Sequence, residues 1–332
     1  MVKLIKNEMI KMLFKKKLVL ILAIILIETI AFTYGENIRY QRTISSYTKS
    51  ETGNYNWRPL INKLMADINN KLTYKDIKAS DEKVMKIQLQ QYKYYLKKNI
   101  NPSALSASKF TAQFMEQSAM MLMPLLIIIL AGDSVSGEFS SKTIKVLLTR
   151  AVPRWKILLS KYIALILMSA FVVFLSAFVS MIVSEITFRD FGFMEPVISG
   201  YKAVAGQIDS SSVVQIYQWQ YLLLVCALNF FVALIIATIS FMVSILVKST
   251  AASIGIMMST LIGGSLLSVF LTDWPLAKYF FAVNLDLPQY LSGRFRVVDG
   301  MNLTFSICTL IVWAAGSLII SFIVFSRKDV LV

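Results

Sequence analysis

The chain has 332 residues, of which 56% are hydrophobic and 16% charged, and its mean hydropathy of +0.64 is too apolar for a soluble domain. Its apolar residues come in runs of about 20, the length that crosses a bilayer, which predicts an all-α polytopic membrane protein. The formal charge of +15 sits largely beside those runs, where lysine and arginine orient spans and meet headgroups, so no nucleic-acid partner is expected; the lack of any histidine excludes Ser-His-Asp catalysis and histidine metal sites.

Residues 1–16 place Val2, Ile5, Met9, Met12 and Leu13 at helical spacing, with Lys3, Asn7 and Lys11 elsewhere, as in an amphipathic helix lying in the interface. The run 17–34 is the first expected span; it is too long for a cleaved leader and lacks a small-residue cleavage site. Residues 35–110 form a long polar insertion, broken near Gly53-Asn54 and Asn101-Pro102 and helical in pattern between, expected as a small extracellular cap. A second span is expected at 111–132, with Pro124 tolerated inside it. After a polar segment at 133–156, further spans are expected at 157–184, 219–247, 251–272 and 302–325. They are separated by an extracellular loop at 185–218, the turn Lys248-Ser249-Thr250 and a semi-apolar stretch at 273–301, and a short tail covers 326–332. The 273–301 stretch is too apolar for a free loop and too broken by Pro275, Pro288 and Gly293 to span, so a re-entrant element is expected there.

Lysines and arginines crowd the N-terminal flank, the 133–156 segment, Lys248 and the Arg327-Lys328 tail. The charge bias places these four regions on the cytoplasmic side, which gives six spans with both termini inside. Cys226 and Cys308 fall within spans and read as apolar packing, and no zinc spacing exists, so no metal site is expected.

The 133–156 segment carries the sharpest pattern: Gly137-Glu138-Phe139, then Thr143, Leu147-Leu148, Pro153-Arg154 and Lys161. It is basic and helix-competent and ends at a proline, as a structured element at the membrane surface would. Together with the layout of spans, this run resembles the membrane subunits of ABC-2-type exporters, whose equivalent run has Gly-Glu, Gly-Thr, a leucine pair, Pro-x-x-Arg and Lys. Here Lys142 stands in place of the glycine before the threonine, and Arg154 follows the proline directly.

The resemblance covers nearly the whole chain. It implies that 133–156 holds a coupling helix docking on a nucleotide-binding subunit, with Gly137, Glu138, Lys142, Thr143, Lys145 and Arg154 making or orienting the contact. It also implies a permease subunit in a bacterial plasma membrane, paired with itself or a sister permease and with two ATPase copies. The chain has no Gly-x-x-x-x-Gly-Lys-Ser/Thr loop, so it is not expected to be an enzyme or to bind a cofactor of its own; ATP and Mg belong on the partner. By the same resemblance, and from the apolar spans, the expected cargo is amphipathic, with a peptide antibiotic or secreted membrane-active peptide first and sodium or a lipid-linked polymer as alternatives. Within the spans, Glu28 and Asn229 are the candidate substrate-path residues, Glu28 because an acid in a span must face protein or water, and Asn229 with interhelical hydrogen bonding as its other reading. A sensor or immunity protein with a ligand-binding cap is the alternative outside transport.

Overall fold

The computed structural model describes residues 1–48, 57–74, 79–102, 104–143, 152–199, 202–204, 207–209, 214–270, 276–292 and 301–327. Helix α1 (Val2–Phe14) buries Glu8 and Met12 and ends where Lys15 takes an extended conformation. Helix α2 (Lys17–Thr48) begins two residues later and continues well past the expected first span. Nothing after Tyr34 stops it, and Arg39 pairs with Glu36 one turn back at 2.7 Å, so the polar continuation stays helical. Two cap helices follow, α3 (Trp57–Leu72) and α4 (Ala79–Lys98), packed on each other.

The expected second span is not a single rod. It is α5 (Ala107–Ser118) and α6 (Leu122–Ala131), bent by 63° at the break. Pro124 is the third residue of α6, inside the first turn, where its missing N–H would have had no helical partner. The residue four before it, Met120, lies in the break, so the ring meets no helical carbonyl.

Short helix α7 (Ser136–Ser140) precedes α8 (Arg154–Phe188), which starts after Pro153 in an extended conformation and is closed by Arg189 in the left-handed conformation. At 35 residues, α8 is about 52 Å long, more than a hydrocarbon core of about 30 Å needs. The expected loop at 185–218 contains strands β1 (Pro196–Ser199), β2 (Lys202–Val204), β3 (Gln207–Asp209) and β4 (Val214–Tyr217). They pair antiparallel as β1 with β4 and β2 with β3. Helix α9 (Gln218–Leu246) then runs through the centre, against α5, α6, α8, α10 (Thr250–Phe270) and α12 (Leu303–Arg327).

Residues 276–292 fold back on the bundle as two 3-10 turns, Ala277–Tyr279 and Phe281–Asn284, and the short helix α11 (Pro288–Ser292). Trp313 of α12 packs edge-on to Phe281 with ring centres 5.4 Å apart and donates its indole N–H to the Tyr279 carbonyl at 2.9 Å. A Cβ at Gly264 would lie 2.3 Å from that of Ala282, so α10 approaches this segment only through glycine.

The chain is therefore an all-α membrane protein. Among the described residues, four helices are long and apolar enough to cross a bilayer (α2, α8, α9 and α12), or five if the bent pair α5–α6 is one span. The apolar helix α10 is shorter than these.

Candidate functional site

The two ends of the bundle are built differently. At one end lie α1, the start of α2, α7, the start of α8, the turn between α9 and α10, and the end of α12. Ser140 of α7 donates to the Lys248 carbonyl at 3.1 Å, and Arg154 of α8 donates to the Ser326 carbonyl of α12 at 3.4 Å. The backbone N–H groups of Val135 and Ser136, at the start of α7, both donate to the Ser244 hydroxyl of α9, at 3.1 and 2.9 Å. That hydroxyl satisfies donors that a helix start leaves without intrahelical partners.

Behind α7 sits a buried ion-pair cluster. Lys161, on the second turn of α8, has no exposed surface. Its ammonium lies 2.8 Å from Glu8 of α1 and 2.5 Å from Glu138 of α7, with the Ser134 carbonyl at 3.5 Å. Lys11 reaches the same two carboxylates at 2.7 and 3.5 Å, and Lys15 and Lys17 close on Asp133 at 2.7 and 3.1 Å. Burial alone would raise the Glu8 carboxyl, but the Lys161 and Lys11 ammoniums outweigh it and hold it below its ordinary value. Burial likewise opposes charge on Lys11, and Glu8 and Glu138 together raise it above the usual lysine range.

What the arrangement can do is mechanical: three helices far apart in sequence share charges that cannot be separated without stranding one in an apolar interior. Displacement of α7 therefore has to carry α1 and the start of α8 with it.

Of the residues singled out in sequence, Gly137 and Glu138 lie on α7, and Glu138 is mostly buried and faces Lys161. Lys142 and Thr143 follow on the exposed surface, and Arg154 opens α8. Lys142 adopts φ +58, a left-handed conformation that glycine takes without cost, which is a physical reason for glycine at that place in the resembling run. Lys145 lies outside the described residues. Glu28 is exposed on α2, whereas Asn229 is fully buried on α9 and donates to the Met115 and Val225 carbonyls, both at 3.0 Å. The two do not meet, and Asn229 acts as a bond between α9 and α5.

Sequence reasoning missed the pairing of Glu8, Lys11, Lys15, Lys17 and Asp133, which it counted only as flanking charge. The signal was Lys161, an ionisable residue inside an expected span, which calls for a buried counter-charge. Glu116 on α5 was missed in the same way; it is buried and accepts the Tyr221 hydroxyl of α9.

Comparison with known proteins gives a family and two relatives. The profile of a family described as "Protein of unknown function (DUF2705)" matches residues 81–331. The uncharacterized protein YhcI of Bacillus subtilis (strain 168) is 27% identical over 227 residues, which cover 63% of this chain and 65% of its own length. The uncharacterized membrane protein YdbK of the same organism is 27% identical over 214 residues, covering 63% of this chain and 78% of its own. The chain thus spans just under two thirds of the length of YhcI.

Proposed function

We propose, for a chain that belongs to the DUF2705 family of proteins of unknown function, the role of membrane subunit of an ABC-2-type ATP-driven exporter. The observation that carries this reading is the buried Glu8–Lys161–Glu138 cluster. It ties the segment that resembles a coupling element to the N-terminal helix and to a span, and a membrane subunit driven by an external motor needs that rigid link. Lys142 and Thr143 would meet the ATPase, whereas Glu138 and Lys161 orient the element from behind. Two ATPase copies, carrying ATP and Mg, would draw together and push on this end of the bundle.

In this reading the cluster end is cytoplasmic, with both termini inside and six apolar segments crossing a bacterial plasma membrane. The grouping of Lys15, Lys17, Lys248 and Arg327 at one end supports that orientation. A second permease copy or a sister subunit would pack on α2. Glu28 supports this: it lies about 16 Å along the helix from Lys17, exposed beside Ile27 and Ile30, where lipid would leave a carboxylate unsolvated. The cargo would be an amphipathic peptide, as the apolar spans and the resemblance suggest.

The test uses chain purified from its native membrane in mild detergent. A stoichiometric subunit with a phosphate loop should copurify, and a cysteine at Lys142 should crosslink to it. Lys142→Glu should weaken the association and leave insertion intact. Reversal at Glu138 is the poorer probe, because it would place a second ammonium beside Lys161. A chain that purifies alone, even after gentle crosslinking, overturns the reading.

A further inference from the structure

At the end of the bundle that carries the cap, the turn 190–194 between α8 and β1 presents apolar side chains to the outside. Phe191, Phe193 and Met194 are all exposed. The two rings stack with centres 5.6 Å apart and planes 8° from parallel, so they share one side of the turn. An apolar patch on a rigid surface marks a contact with a partner or a membrane.

The backbone of this turn is closed. The carbonyls of Asp190, Phe191, Gly192 and Phe193 each accept a backbone N–H, from Ala107 at 2.7 Å and from Ser108, Glu195 and Trp219 at 3.1 Å. The Gly192 N–H donates to the Asp190 carboxylate at 3.0 Å. Gly192 takes φ +60, and a Cβ there would lie 2.2 Å from the Ser106 hydroxyl, so the close approach needs glycine. Donors at the starts of α5 and α9 therefore hold the turn, and four successive carbonyls need no water. That is what a bilayer demands of backbone that is not helical.

The neighbouring helices give the depth. Helix α9 has no charged residue from Gln218 to Leu246, and it begins beside the turn with Tyr217 and Trp219 both exposed. Tyrosine and tryptophan at the end of an apolar helix mark the boundary between membrane and water. On α8, the exposed residues Phe171, Phe174, Phe178, Ile182 and Ile186 recur at intervals of three and four, a stripe that leads up to the turn. We propose that the turn 190–194 is a lipid anchor, with the Phe191 and Phe193 rings seated at the headgroup–acyl boundary of the leaflet at the cap end. Lipid is the occupant because the patch continues the exposed apolar stripe of a spanning helix. Arg189 and Asp190, exposed beside the rings, then lie among headgroups, which solvate charge.

The start of α8 has a matching pair, the half-exposed Trp155 with the Lys156 ammonium 5.5 Å from its ring centre. With its two ends held at the two boundaries, α8 takes up its excess length by tilting. The anchor requires only that the chain be a membrane protein, so it stands or falls apart from the ATPase reading.

The experiment places a nitroxide on Phe191→Cys or Phe193→Cys in the full chain, with Cys226→Ala and Cys308→Ala, in vesicles of phosphatidylethanolamine and phosphatidylglycerol. A reference chain carries the label on Lys98→Cys, exposed at the end of α4. Power saturation then reads collisions with molecular oxygen, which concentrates among acyl chains, and with a neutral nickel chelate, which stays in water. Oxygen should dominate at 191 and 193, and the chelate at 98. A label on Ile186→Cys should shift toward the chelate when Phe191→Ser and Phe193→Ser are added, because α8 loses its hold on the boundary. Dominance of the chelate at 191 and 193 would overturn the proposal. So would exclusion of both reagents there, the mark of a protein covering the patch, or an unchanged ratio at 186 in a variant that still folds.

Discussion

Lys161 is held in place by its two carboxylates. Replacing it with methionine leaves Glu8 and Glu138, side by side, with the half-exposed Lys11 as their shared cation among the described residues, and the expected cost is about 2–4 kcal/mol, below the full penalty of an unpaired buried charge. Adding Glu8→Gln and Glu138→Gln to Lys161→Met should recover most of that loss, because the penalty comes from uncompensated charge rather than from lost packing. Thermal unfolding of the single and triple variants in detergent checks both halves. At Lys142 the sign is reversed: the left-handed backbone costs about 1–2 kcal/mol in any L-residue, so Lys142→Gly should raise the melting temperature. A lower melting temperature for that variant would mean that the backbone there carries no such cost.

Among the elements, α1 is one whose attachment depends on charge. Glu8 titrates below its ordinary value of 4.5, so its contribution is complete above 4.5 and is lost as pH falls through the depressed value. Lys11 titrates above 10.5, so its contribution is complete below 10.5 and is lost as pH rises through the raised value. The helix should stay docked between those limits. A spin label at Leu13 should gain mobility in acid well before α8 unfolds. At α10 the contact is steric: Gly264→Ala drives a methyl into Ala282 and should cost about 1–3 kcal/mol in the melting transition. The apolar runs behind α2, α8, α9 and α12 were legible because a hydrophobic stretch of bilayer length has almost no place in a water-soluble fold. The bend before Pro124 was not, because proline is compatible both with a kinked span and with the first turn of a new helix. The strands at 196–217 were read as loop because each is three or four residues long, too short for alternation to register. Nor could the meeting of Glu8 with Lys161 be read directly, since it spans 153 positions and depends on how α1 folds back onto α8.

For the whole molecule, the distribution of polar groups is the informative quantity. The buried ion pairs among the described residues gather at one end, a cavity under the cap lies at the other, and the apolar helices run between them. On the side of α2, Glu28 breaks the apolar surface, and the proposed partner copy would cover it. A cysteine at Glu28, in a chain whose own two cysteines are replaced, should crosslink in native membranes to a band of dimer size. A monomeric band under oxidising conditions would remove α2 as the contact face.

Helix α8 is continuous from Lys161 to Phe188 and has no proline or glycine at which it could bend. Its far end is fixed to the wall of the cavity through α5, where Ser184 donates to the Ala107 carbonyl at 3.3 Å. A stiff rod clamped at both ends transmits torque in either direction. Any ligand that turns α8 at the cap therefore shifts the equilibrium of the surface beside Lys142, and whatever docks beside Lys142 shifts cap affinity by the same factor, because linkage between two binding equilibria is reciprocal.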